Sequence, residues 1–220
     1  MSKRHILFVT CTYDRPTRIA YLRRHIDEIF SRIDNYTWLI VEDGDAPHAD
    51  VRAITRGLNA VHLNCGPTRD KGHAQRNHAL EYIRDHRLEG VVYSLDDDNF
   101  CYRLICEELR KVDRIAIFPV GNLGPTGIER PVIHEGKLVF WSAHFTERAY
   151  PVDIAGLAFP SHILFDLDPP FWPFTGIVGE SELVARFVRA GHQLDLSLCH
   201  GSRMCLAYHN EPIDSPYRVG

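Results

Sequence analysis

Four short apolar runs, separated by segments of helical period, constrain this chain more than any other feature. "RHILFVTCTY" (4–13), "YTWLIVEDGDAP" (36–47), "AVHLNCG" (60–66) and "GVVYSLDDD" (90–98) have the length and apolar character of buried strands. Between the first two, Ile19, Leu22, Ile26, Ile29 and Ile33 recur at three- and four-residue steps, predicting one helix over "RPTRIAYLRRHIDEIFSRI". Pro16 falls in its first turn, where a missing N–H costs nothing. "ADVRAITRGL" and "GHAQRNHALEYIRDHRL" predict the next two helices. Strands and helices in this rhythm form βαβ units, so the fold class is α/β with a mostly parallel, Rossmann-like sheet. Chemistry is expected on the loops after the strand C-termini, where "VEDGD" and "LDDDN" stand.

Beyond residue 113 the texture becomes β-rich. "RIAIFPVGNLG" reads as one strand, and "RPVIHEGKLVFWSAHF" as a hairpin turning at Glu135, Gly136 and Lys137. "GESELVARFVRAG" reads as a helix with Leu183, Val184, Phe187 and Val188 on one side and Gly191 as its stop, and the tail offers one more strand. A length of 220 residues fits one domain, with a half of about 1–113 and a second of about 114–220.

A formal net charge of -4 gives no reason to expect a nucleic-acid partner, although local Arg and Lys groups can still hold a nucleotide. The apolar stretch near the start, "ILFV", is too short for a signal segment or a membrane span, so the chain reads as soluble. Cysteines 11, 65, 101, 106, 199 and 205 form no CxxC pair and no zinc-finger spacing, which reads as reduced thiols in a cytoplasmic protein.

Asp96, Asp97 and Asp98 pose the sharpest chemical question. Adjacent carboxylates raise one another's pKa, so the run is either well solvated or neutralised by a cation. Hard cations such as Mg²⁺ and Mn²⁺ take one or two carboxylates plus substrate phosphates, and Asp-x-Asp at a strand end supplies them. Strand alternation would send Asp96 and Asp98 one way and Asp97 the other. An EF-hand fails because Cys101 stands where its loop needs glycine, and "TCTYDRPTR" lacks every glycine of a dinucleotide crossing. No Walker loop, Gly-x-Ser-x-Gly elbow or HExxH helix occurs. Taken singly, Arg76 reads as a solvated helix position, His209 as a partly buried histidine, Asp153 as a loop acid and Glu180 as a helix-terminal acid.

In order, "VTCTYDRP", "WLIVEDGDAP", "AQRNHALEYIR", "GVVYSLDDDN", "FPVG", "YPVDIAGLAF", "GESELV" and "AYHNE" resemble the β-1,3-glucuronyltransferases of glycosyltransferase family 43. The resemblance runs from about residue 6 to residue 211. It implies a GT-A fold, a UDP-sugar donor, Mn²⁺ or Mg²⁺, and inverting single-displacement transfer to a glycan or glycolipid acceptor. By position, it implies Tyr13 and Asp43 at the uracil, Arg76 at the donor sugar or diphosphate, and Asp96 and Asp97 along the donor pocket. Asp98 would be the metal ligand and His209 would reach the diphosphate. Glu180 would be the catalytic base, with Glu182 as its rival, and Glu129, Arg148 and Asp153 would line the acceptor site.

Members that use glucuronate carry arginines where this chain has Lys71, about Gly176, and Glu211. Lys71 can still pair with a carboxylate as a point charge, so the donor sugar is glucuronate or a neutral sugar such as xylose. Surface polysaccharide synthesis from the cytoplasm is the expected setting, with a homodimer and peripheral membrane contact through the acceptor compatible with it. Phe171, Trp172 and Phe174 read either as an acceptor platform or as core. Two other functions fit the same residues: a catalytically silent nucleotide-sugar or glycan-binding subunit, and a UDP-sugar hydrolase.

Overall fold

A computed structural model describes residues 3–68, 72–123, 126–173, 179–195 and 205–210. Lys71, Phe174, Gly176, Cys199 and Glu211 therefore lie outside the described residues. The first half alternates as expected: β1 (Ile6–Tyr13), α1 (Arg18–His25), β2 (Tyr36–Asp43), α2 (Ala49–Ile54), β3 (Ala60–Asn64), α3 (His73–Asp85) and β4 (Val91–Ser94). After these come β5 (Phe100–Cys101), α4 (Ile105–Leu109), β6 (Ala116–Ile117), β7 (Val120–Gly121), β8 (Ile128–His134) and β9 (Lys137–Ser142). The chain continues with β10 (Leu157–Pro160), α5 (Gly179–Arg189) and β11 (Ala207–Tyr208).

Six strands form a mixed sheet in the order β3-β2-β1-β4-β10-β6, with the first four parallel. Connections from β1 proceed to one side through β2 and β3, then cross to β4 on the other. That reversal places a switch point between β1 and β4, where α/β sheets bind ligands. A second sheet, β5-β11-β7-β8-β9, stands beside it. The two halves trade strands: β6 and β10 complete the first sheet, while β5 enters the second.

Alternate residues of each strand feed opposite core layers. Leu7, Val9, Leu39 and Val41 join Ala79, Leu80 and Ile83 of α3 and Leu183, Val184 and Phe187 of α5. Ile6, Phe8, Trp38 and Ile40 join Leu22, Ile29 and Phe30 on the other face.

Four local readings change. The first helix ends at His25 and continues as a wide π turn over Ile26–Phe30, closed by Ser31 N–H donating to Ile26 O at 2.9 Å. The wide turn brings both Ile29 and Phe30 inward, and Phe30 stacks on Trp38 with ring centroids 4.0 Å apart. "RIAIFPVGNLG" is split by Pro119, with β6 in one sheet and β7 in the other. β10, with all four residues buried, is an antiparallel strand in the middle of the main sheet that shows no alternation to find it by. The hairpin turns on Glu135 (φ 49°) and Gly136 (φ 73°), and Lys137 already begins β9.

No helix among the described residues is long and apolar enough to cross a membrane. None of the five described cysteines is in a disulfide.

Candidate active site

A cleft of about 460 Å³ opens at the C-terminal ends of β1, β2 and β4. Tyr13, Asp43, Arg76, Asp96, Asp97 and Asp98 line it, together with Cys11, Gly72 and Gln75. A larger open basin, about 650 Å³, lies at the opposite end of the sheet around Lys3, Arg4 and His5; it holds none of the residues singled out by sequence. The switch-point cleft is therefore the candidate site.

Its acidic wall is a turn, and that overturns the strand alternation expected for the three aspartates. β4 stops at Ser94, and Asn99 N–H closes on Asp96 O at 3.1 Å. Each carboxylate then takes its own direction. Asp96 accepts from Arg76 Nη2 at 2.5 Å, while Asp97 accepts from Thr12 Oγ1 at 2.7 Å and from Arg15 Nη2. Asp98 shares the same guanidinium, with Arg15 Nη1 at 3.3 Å. Asp97 and Asp98 thus converge on one cation instead of diverging.

The turn's backbone is held from below by buried groups. Arg24 Nη2 donates to Asn99 O at 2.5 Å and to Asp97 O at 3.3 Å, and His25 Nε2 meets Asp96 O at 3.2 Å. Burial, with the charge of Arg24 adding to it, lowers the His25 pKa to about 3, so the ring is neutral and Nε2 carries its proton toward the carbonyl. Thr10 Oγ1 donates to Leu95 O at 2.6 Å and accepts from Trp38 Nε1 at 2.8 Å. Two like charges about 4 Å apart repel by about 4 kcal/mol at an effective dielectric of about 20, so the run needs counter-charge. Arg15, Arg24 and Arg76 supply it.

Burial raises the Asp96 pKa against the opposing charge of Arg76, and lifts Asp97 to about 6 against Arg15 and Thr12. Asp98 differs from both, with a side chain 37% exposed. Of the three, it offers the most accessible oxygens to a cation entering the cleft. Among the described residues no three His, Cys, Asp or Glu side chains form a metal cage. The donor set fits Mn²⁺ or Mg²⁺ held by one carboxylate plus diphosphate oxygens and water, and Arg15 already rests a positive group on that carboxylate.

The other predicted donor residues frame the cleft. Tyr13, half exposed, carries the Arg15 guanidinium over its ring at 4.8 Å. Asp43 accepts from Thr68 N and Oγ1 at 2.5 and 2.7 Å, pinning the loop toward α3. Its neighbour Glu42 points inward to Arg18 at 3.5 Å and to His48 N–H.

Three further acids from the second half do not line this cleft, but Asp153 lies in the charge field of Asp96 and Glu180 in that of Arg76. Asp153 caps the turn Ile154–Gly156 by accepting from Ala155 N at 2.9 Å, and its other oxygen faces His209 Nδ1 at 3.5 Å. The adjacent Asp153 carboxylate raises the His209 pKa, burial opposes it, and Asp98 and Asp96 add their charges. His209, placed on the donor side by sequence, and Asp153, placed on the acceptor side, are thus direct partners. Glu129, buried on β8, is pushed up to about 7 by burial and by Asp153.

Glu180 lies in the first turn of α5, where the helix N-terminus favours its ionised form. Burial nonetheless pushes it up to about 7; Asp153 adds to the rise, while its own backbone N–H, Arg76 and Arg148 oppose it. Glu182 instead faces outward, 3.9 Å from Arg189. Arg148 is half-buried, donating to Phe145 O at 3.3 Å. Phe171 and Trp172 are buried, 1% and 2% exposed, so they are core and not an acceptor platform.

Sequence reasoning missed Arg15, Arg24, His25 and Asn77. One signal was available: three adjacent carboxylates demand nearby cations, and the segment after β1 carries arginines at 15, 18, 23 and 24.

Residues 26–210 match Glycosyltransferase family 43. The chain is 32% identical over 165 residues to galactosylgalactosylxylosylprotein 3-beta-glucuronosyltransferase P of Drosophila melanogaster, covering 70% of this chain and 34% of that protein. It spans about a third of that relative's length. Among solved structures, S. aureus TarS 1-349 superposes with TM-score 0.61 at 14% identity, over 94% of this chain and 60% of TarS. The mannosyltransferase PcManGT of Pyrobaculum calidifontis, in complex with GDP-Man and Mn²⁺, superposes with TM-score 0.58 at 15% identity, over 97% of this chain and 59% of its own. The mixed α/β sheet is thus the GT-A fold of these neighbours, and the chain belongs to glycosyltransferase family 43.

Proposed function

We propose that this chain is an inverting, metal-dependent glycosyltransferase that moves a sugar from a UDP-sugar to a glycan acceptor. The observation that carries the reading is Glu180: a carboxyl pushed up to about 7, at the start of α5, under the same Arg76 that holds Asp96 in the cleft. A general base works best when its pKa lies near the working pH. Glu180 takes the proton from the attacking acceptor hydroxyl, while Asp153 and Glu129 orient that acceptor through hydrogen bonds to its hydroxyls, with Arg148 beside them. Tyr13 and Asp43 hold the nucleoside end, and Asp96 and Asp97 line the donor pocket.

Asp98 would hold Mn²⁺ or Mg²⁺, which when bound takes negative charge off the leaving diphosphate. Arg76 and His209 add positive charge on that side, and His209 is kept protonated to higher pH by Asp153. The donor half (about 1–113) and the acceptor half (about 114–220) act as one catalytic unit. The relative named a 3-beta-glucuronosyltransferase supports glucuronate, and the Mn²⁺ named with PcManGT supports the metal. A neutral donor such as UDP-xylose is the alternative sugar, and surface polysaccharide the expected product class.

The test is UDP release from UDP-glucuronate, UDP-xylose and UDP-glucose with Mn²⁺, with and without a glycan acceptor. Acceptor-dependent release that disappears in Glu180→Gln is the expected result. Full turnover in that variant contradicts the base, and release without any acceptor contradicts transfer.

A further inference from the structure

The three consecutive residues Gln75, Arg76 and Asn77 reach three different segments. Gln75 Nε2 donates to Thr12 O at 3.1 Å, at the end of β1. Arg76 pairs with Asp96 and lays its guanidinium over the Trp172 ring, 5.1 Å from the centroid. Asn77 grips the Trp172 backbone twice: Nδ2 donates to Trp172 O at 2.8 Å, and Oδ1 accepts from Trp172 N–H at 2.7 Å. All atoms of this amide pair are buried. A satisfied buried pair of this kind fixes backbone position, because breaking either bond leaves a desolvated polar group.

The far edge of the Trp172 ring packs on Gly179, the residue before Glu180. A Cβ at Gly179 would lie 2.2 Å from Trp172 Nε1 and 2.4 Å from Cε2, so the helix start has room for glycine alone. One turn later, Leu183 faces the same small space as Arg76 and Trp172. A continuous packed line therefore runs from Asp96 through Arg76 and Trp172 to the first turn of α5.

We propose that Trp172, locked in place by Asn77, is a positioning residue that sets Glu180 against the Arg76–Asp96 side of the cleft. The inference rests on the reading of Glu180 as the base. Transfer needs the base within hydrogen-bond reach of the acceptor hydroxyl while the donor sits under Arg76, and Trp172 touches both sides. Interior side chains packed at this density transmit a displacement instead of absorbing it.

The experiment compares Trp172→Phe, Gly179→Ala and the double variant in the full chain. It measures kcat for UDP release from the best donor of the screen and Kd for UDP with Mn²⁺. Each single variant is expected to lower kcat about tenfold or more while Kd moves less than about threefold, because misplacement of a reacting group acts on turnover. In the double variant the Ala methyl fills the space vacated by the indole edge, so kcat is expected to recover toward wild type. A purely structural role predicts lower melting temperatures with kcat per folded molecule unchanged, and that result overturns the proposal. Additive losses in the double variant, or parallel falls in kcat and affinity, overturn it as well. If Trp172→Phe does not fold, Asn77→Asp, which keeps the acceptor for Trp172 N–H and loses the donor to Trp172 O, must show the same split. Glu180→Gln run alongside separates the two failures. Turnover retained there removes the base and this inference with it. Turnover lost there, with all Trp172, Gly179 and Asn77 variants at full kcat, leaves the base standing and rejects the positioning role.

Discussion

The two groups of acids in this molecule carry the same functional group and meet opposite treatment. On the turn after β4, Asp96, Asp97 and Asp98 each stand at an arginine, and Arg24 holds the turn beneath them. In the second half, among the described residues, neither Glu129 nor Glu180 has a cation within ion-pair distance, and both are pushed up to about 7. Asp97, although lifted to about 6 by burial, stays largely ionised at neutral pH beside Arg15, which suits holding a cation or, through it, a diphosphate. Carboxyls buried without a close cation change protonation near neutrality, which suits proton transfer. Arginine pairing, more than residue type, sets the two groups of acids apart.

The largest expected effect comes from removing the accessible member of the aspartate turn. Asp98→Ala should weaken Mn²⁺-dependent UDP binding on the order of a hundredfold or more, read by calorimetry or thermal shift. Unaltered binding breaks the assignment of Asp98. A smaller effect is expected at Arg15, whose guanidinium joins Asp97 and Asp98. Arg15→Met should cost about 2 kcal/mol of stability, because it leaves two buried or half-buried carboxylates facing each other. Mn²⁺ should restore more of the melting temperature in that variant than it adds to wild type; an equal Mn²⁺ shift in both would mean that Arg15 and the cation do not share a carboxylate.

The smallest effect is one of stability and depends on pH. Glu129 and Glu180 bind their protons more tightly folded than unfolded, so the fold loses stability as pH rises from about 4.5 through about 7. Glu129→Gln and Glu180→Gln should therefore raise the melting temperature at pH 8, by about 3 °C for each kcal/mol recovered, and leave it nearly unchanged at pH 4. A loss of stability at pH 8 would place a cation near these acids after all.

Much of the fold was legible in the sequence, since buried parallel strands and amphipathic helices leave strong periodic signals. β10 was not, because a four-residue strand buried on both faces has no alternation, and its partners lie far along the chain. In the site, the types and order of residues pointed to the cleft, and Tyr13, Asp43, Arg76 and Asp96–Asp98 do meet there. The directions of the three aspartates were not legible, because alternation governs strands and these residues form a turn held by Arg24 and His25. Nor could sequence reveal that Trp172 is walled in by Arg76 and Gly179 instead of facing an acceptor. The grip of α3 on Trp172 joins segments about a hundred residues apart.

Glu180 is proposed to work as a base because burial raises its carboxyl to about 7. The pH dependence of kcat for acceptor-dependent UDP release tests it most directly. The expected rate rises with pH through an acidic limb near 7, where Glu180 loses its proton. A rate already at its plateau at pH 5.5 would contradict it.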